Sequence, residues 1–162
     1  MNSQKQQSDY TGIIILLALA FLVFGGGDVG GSKSPTATLP QVASVFVLYD
    51  SDPQATLQLN TDHKGQSDVI TSIADDSAKV AVTKGAKGNW YTYGTKEPAP
   101  DAAKAGQWAA EAYAVAKAAG KTPWMVASTP GGKGYSGLVP DTGNDIKAAQ
   151  AETMKILQPL LK

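Results

Sequence analysis

From Gly12 to Phe24 the chain reads GIIILLALAFLVF, and no charged residue occurs between Asp9 and Asp28. A run that is apolar on every face has no polar side to turn toward water, so it does not suit a surface helix of a globular body. As an α-helix, the uncharged window from Tyr10 to Gly27 reaches about 27 Å, close to a hydrocarbon core about 30 Å thick. Its Leu, Ile, Val and Phe side chains together favour insertion by about 3–6 kcal/mol. Two readings fit: a secretory h-region cleaved near Gly25 or Gly27, and a retained anchor. Before the run stand only Lys5 and the amino terminus, opposed by Asp9. That is a weak n-region, so the expectation is a short tail over 1–10 and a single-pass transmembrane anchor over 11–27. Lys5 and Lys33 nearly balance across it. The short tail and large remainder point to the tail inside and the C-terminal domain extracytoplasmic.

Residues 28–43 are rich in Gly, Ser, Thr and Pro, the composition of a tether. Residues 44–162 suffice for one domain with its own core. Acidic and basic residues balance to a net charge of +0, and every basic residue is lysine. A basic field and the bidentate guanidinium grip on phosphates are both missing, which argues against nucleic-acid binding. Cysteine is absent, so disulfides, thiolate nucleophiles and Cys-based metal sites are excluded.

Along the domain, SVFVLY (Ser44–Tyr49), bounded by Pro40 and by Asp50-Ser51-Asp52-Pro53, predicts a buried strand. Residues 53–65 give no clear pattern. Ser67 or Asp68 is placed to cap a short helix, DVITSIADD. KVAVTK (79–84) alternates like a second strand. GAKGNWYTYG then reads as a loop of extended character, with Trp90, Tyr91 and Tyr93 covering the edge of the core. Asp101 is an N-cap candidate for one helix running to Ala119, with Trp108, Ala112, Val115 and Ala119 on its inner face and Gly120 closing it. WMVAS follows Thr122-Pro123 as a third strand. Gly131, Gly132 and Gly134 mark a hairpin into YSGLVP. Asn144 or Asp145 caps a last helix carrying Ile146, Ala149, Met154 and Leu157 inward. The order is β-α-β-α-β-β-α, an α/β sandwich of about four strands.

This order, the strand VFVLYD, the Thr122-Pro123 pair directly before WMVAS, and the ending GGKGYSGLVPDTGNDIKAAQ together resemble the thioredoxin-like fold. The resemblance covers about residues 44–162. It implies a cis-proline at Pro123, beside the place where that family carries its redox site. The family's Cys-x-x-Cys would fall at about Pro53–Leu57, PQATL, which holds no sulfur. Thiol–disulfide exchange requires a thiolate, so the resemblance implies a redox-inactive member.

Asp50-Ser51-Asp52 after an apolar strand also looks like the first motif of haloacid-dehalogenase-type phosphatases, with Asp50 as nucleophile, Asp52 as acid and Mg²⁺ bound. Ser128 or Thr129 would then meet phosphate. Asp75-Asp76 precedes the strand it should follow, and a strand-end turn rich in Asp and Pro is the commoner meaning. His63, the single histidine, pairs on paper with Asp62; without a second His or any Cys, a metal site is not expected. GGKG lacks the spacing and the Ser/Thr of a P-loop. Trp90, Tyr91 and Tyr93 suit core-edge packing better than a ligand platform.

The sequence therefore predicts a membrane-tethered, redox-inactive binding or structural module with no catalytic residues, metal or cofactor. Its partners are the membrane and another protein, met through Ser51, Asp52, Pro123 and Trp124. Two alternatives stand beside it: a structural membrane protein of a virion or envelope assembly, and the Mg²⁺-dependent phosphatase using Asp50 and Asp52.

Overall fold

A computed structural model describes residues 38–75 and 88–161. Contacts divide the chain into two units, Met1–Thr38 and Leu39–Lys162, and the fold below is that of the second. The anchor expected over 11–27 and the strand expected over 79–84 lie outside the described residues. Among the described residues, no helix is long and apolar enough to cross a membrane.

The body is mixed α/β. Four strands, β1 (Ser44–Tyr49), β2 (Asn89–Gly94), β3 (Trp124–Ser128) and β4 (Gly134–Leu138), form one sheet in the order β2-β1-β3-β4. β1 and β2 are parallel, whereas β3 runs antiparallel to β1 and β4 antiparallel to β3. Five helices accompany them among the described residues: α1 (Pro53–Asp62), α2 (Lys64–Ala74), α3 (Ala102–Ala105), α4 (Gln107–Ala119) and α5 (Ile146–Leu157).

Side-chain alternation sends successive strand residues to opposite faces, and both faces of β1 are covered, which is why SVFVLY is apolar throughout. Val45 and Val47 join Met125 and Ala127 of β3 against Val69, Ile70 and Ile73 of α2 and Ala149 and Leu157 of α5. Phe46 and Leu48 join Trp124 and Val126 against Ala112, Tyr113 and Ala116 of α4. The result is helix, sheet, helix in three layers.

Several sequence expectations change. The strand parallel to β1 is NWYTYG, the stretch read from the sequence as a loop; its flanking glycines suggested turns, but Trp90, Tyr91, Thr92 and Tyr93 are strong strand formers. Tyr91 and Tyr93 pack against the α4 side and Trp90 against the other. The single helix expected after Asp101 is broken at Gly106, whose φ of 91° belongs to glycine, and the Tyr91 hydroxyl donates to the Ala105 carbonyl at the break (3.1 Å). On α4 the inner face is Ala109, Ala112, Tyr113 and Ala116, and Val115 is exposed. Tyr113 claims the contact because its ring meets Phe46 edge-on, centroids 6.2 Å apart. Ile146, expected inside on α5, is also exposed.

The unpatterned stretch 53–65 is α1 and the start of α2. Neither Ser67 nor Asp68 caps α2. Its first turn is closed from elsewhere in the chain: the Lys64 N–H donates to Asn144 Oδ1 (3.2 Å) and the Gly65 N–H to the Gly143 carbonyl (3.0 Å). Orphan donors at a helix start accept any well-placed oxygen, and here a remote loop provides it. Asp145 is then the cap of α5, accepting from the Ala148 N–H.

Candidate functional site at the carboxyl end of the first strand

Leu48 pairs with Trp124 at the last rung of the β1–β3 ladder. Pro123 therefore stands at the end of β1 from which Asp50, Ser51 and Asp52 continue. The Thr122–Pro123 bond is cis. The sheet thus brings Ser51, Asp52 and Pro123 to one end.

Trp124 behaves differently. It is only 8% exposed, packs with Phe46, Leu48 and Tyr113, and donates its indole N–H to Ser136 Oγ (2.8 Å). A side chain so committed is a floor beneath the site and offers no face to a partner. Pro123 is also buried, and its carbonyl accepts from the Val139 N–H (3.0 Å), tying the start of β3 to the end of β4.

The 50–52 loop is stitched to the residues that follow β2. The Lys96 N–H donates to Ser51 Oγ (3.0 Å). Thr95 Oγ1 donates to Asp50 Oδ1 (3.2 Å) and accepts from the Ser51 N–H (3.3 Å). Asp50 Oδ1 also accepts from the Asp52 N–H (2.9 Å). Asp52 caps α1 through the Gln54 N–H (3.0 Å), and its other oxygen meets Lys96 Nζ at 2.7 Å. The Lys96 hydrogen bond, followed by that of Gln54, holds the Asp52 carboxyl below the usual carboxylate range. Gly94 permits this closeness, because a β-carbon there would stand 2.6 Å from Ser51 Cβ. Ser51 and Asp52 remain half-exposed, and Thr95, Lys96 and Glu97 are exposed. Together they make a polar shelf with one cation, several carboxylates and hydroxyl groups, beside Pro123. Such a shelf suits recognition of a polar or extended segment.

The partner of His63 is Asp141 and not Asp62: Nδ1 lies 3.0 Å from each carboxylate oxygen. Asp141 Oδ1 also accepts from the Gly143 N–H (2.9 Å). The His63 hydrogen bond is the main reason the Asp141 carboxyl sits below its ordinary range. Gln66 Nε2 donates to the Val139 carbonyl (2.7 Å) in the same junction. These bonds lock the α1–α2 bend to the 139–145 loop. Among the described residues, no group of three or more His, Cys, Asp or Glu side chains is placed to hold a metal ion.

Thr95, Lys96 and Asp141 were not singled out from sequence. Each acts across a separation of 44 residues or more, and no local spacing marks such partners. No family model, curated protein or solved structure matches the chain.

Proposed function

We propose that the chain is a membrane-tethered binding or structural module whose body is a thioredoxin-like domain without redox chemistry. One observation carries the reading: the order β2-β1-β3-β4, with its parallel first pair and antiparallel third and fourth strands, sets Pro123 beside the end of β1 in a chain that contains no sulfur nucleophile. An end of the sheet that carries no thiol is left for recognition. The docking surface is Ser51, Asp52, Thr95 and Lys96 around Pro123, supported from below by Trp124. The uncharged run over 11–27 supplies the anchor, and holding the module near a membrane raises its effective concentration for partners there.

A phosphatase built on Asp50 and Asp52 draws less support. Asp50 is engaged by Thr95 and by the Asp52 N–H, and Asp52 caps α1 and pairs with Lys96. These are the bonds of a strand-end turn.

Site-specific photocrosslinking in the full chain tests the recognition surface. Crosslinkers at Ser51 and Lys96 are expected to capture the same protein, and one at exposed Val115 is not. Equal capture from all three positions would end the proposal. Flotation with lipid vesicles, compared with a chain lacking residues 11–27, tests the anchor separately.

A further inference from the structure

Two helices of opposite character flank His63. Six of the eleven residues of α2 are buried, and none of the ten in α1 is. Of the α1 side chains, Leu59 packs at the edge of the aliphatic cluster, while Leu57 is 57% exposed. Among the described residues, the hydrogen bonds that reach α1 side chains from outside the helix are local. The Ser67 hydroxyl donates to Asn60 Oδ1, and Thr56 Oγ1 donates to the Asp50 carbonyl at 3.5 Å. The helix has little support of its own. Ten residues are too few to hold a helix in water, and Asn60, Thr61 and Asp62 at its end are poor helix formers. Its first turn holds no acid and its last turn no base, and Asp62 sets a carboxylate where the helix dipole is already negative.

Both ends of α1, by contrast, are clamped by bonds that bypass it. Before it, the Lys96 N–H donates to Ser51 Oγ, and Lys96 Nζ meets Asp52. After it, His63 pairs with Asp141, and Gln66 Nε2 donates to the Val139 carbonyl. His63 leaves helical geometry, with φ −129° and ψ 45°. The Lys64 and Gly65 N–H groups turn to Asn144 and Gly143 and away from α1.

We infer that Pro53–Asp62 is a strap that melts and re-forms as a unit while the sheet, α2 and α5 stay folded. Opening breaks the helix's own hydrogen bonds and uncovers Leu59, and it spares both clamps. Segments with few buried apolar contacts and exposed backbone bonds are the ones that open locally. Asp52 belongs to the strap as its cap and also to the recognition surface proposed above. A partner that holds Asp52 in its capping position favours the closed strap. That coupling rests on the recognition reading, whereas the opening itself does not.

Amide hydrogen exchange on the full chain in detergent micelles tests the strap, read over Leu57–Asp62 and over Val69–Ile73. The Leu57–Asp62 amides are expected to exchange about 100-fold faster or more. Their rate should barely respond to low urea, because local opening exposes little surface. Leu59→Ala removes the apolar tie and should speed Leu57–Asp62 by about tenfold. Asp62→Lys replaces the misplaced carboxylate with a favourable cation and should slow the same amides by about threefold. Neither variant is expected to change exchange over Val69–Ile73. One common rate and one urea dependence for the two stretches overturns the inference, and so does a variant that moves both stretches equally. Crosslinking from Ser51 and Lys96 reads recognition separately, so either idea can fail alone.

Discussion

The two faces of the sheet are built on different principles. The face toward α2 and α5 is aliphatic: Val45, Val47, Met125 and Ala127 meet Val69, Ile70, Ile73 and Leu157. There the helices approach closely, to the point that a β-carbon on Gly65 would lie 2.7 Å from Thr142 Oγ1 and 2.8 Å from Ala149 Cβ. The face toward α4 is aromatic. Phe46 stacks on Tyr93 at 5.4 Å and meets Tyr113 edge-on, and Tyr91 leans on Trp108 at 6.1 Å. Here the strands and Tyr113 bring the bulk, and α4 contributes alanines that let the rings fit beneath it. Volume must be conserved across a packed layer, so large rings demand small helical residues, and mid-sized aliphatics permit a glycine contact between helices.

The largest effect expected is on the aromatic face. Phe46→Ala removes a fully buried ring and its contacts with the rings of Tyr93 and Tyr113, and should cost about 3–5 kcal/mol in denaturant unfolding. A loss no greater than that of Val47→Ala would break the contrast, because the rings would then not be the organising element. Next comes Gly65→Ala. Helix propensity alone would favour alanine by about 1 kcal/mol, but the close approach of α2 to the Thr142–Ala149 segment reverses the sign, with an expected net loss of about 1–3 kcal/mol. Stabilisation by Gly65→Ala would show that the aliphatic face has slack.

Thr153→Val sharpens the same point from the other direction. Thr153 is 0% exposed and, among the described residues, its hydroxyl has no hydrogen-bond partner. Replacing it with a methyl group removes an unsatisfied buried donor, and stability should rise by about 1 kcal/mol. A loss would mean that the hydroxyl has a use in the core.

The smallest effect concerns the His63–Asp141 clasp at the end of the aliphatic layer. Asp141 has a lowered carboxyl pKa in the fold, so its stabilising contribution is complete above the unfolded-state value near 3.8. It is lost as pH falls through the lower folded value. Because the pair is largely exposed, with 34% and 47% of the two side chains accessible, Asp141→Asn should cost under about 1 kcal/mol at neutral pH. It should also flatten that part of the acid limb. An unchanged acid limb would remove Asp141 from the account.

What could be read in the sequence follows from range. β1, β3, β4 and α5 announce themselves through apolar runs, a glycine hairpin and an Asp cap, all settled by residues a few positions apart. Of the candidate site, only the placement of Ser51, Asp52 and Pro123 at one end of the sheet followed from the strand boundaries beside them; that Pro123 is buried there did not. Trp124 was misassigned as a surface contact, since its neighbours in sequence do not show that Ser136 would satisfy its indole N–H inside the core. Asn89–Gly94 was misassigned as a loop because its pairing with β1 is not visible in the local pattern.

By itself, the sequence determined that the body has an apolar strand buried on both faces, and that it holds neither a thiol nor a guanidinium. It also determined that the body follows an uncharged stretch, from Tyr10 to Gly27. These are properties of side-chain chemistry and short-range order, and no fold can alter them. Only the tertiary structure decided that α2 would be capped by Asn144, that His63 would answer to Asp141, and that Lys96 would close over Asp52. Each of those bonds forms between groups far apart along the chain, and its geometry exists only once the sheet has brought the loops together.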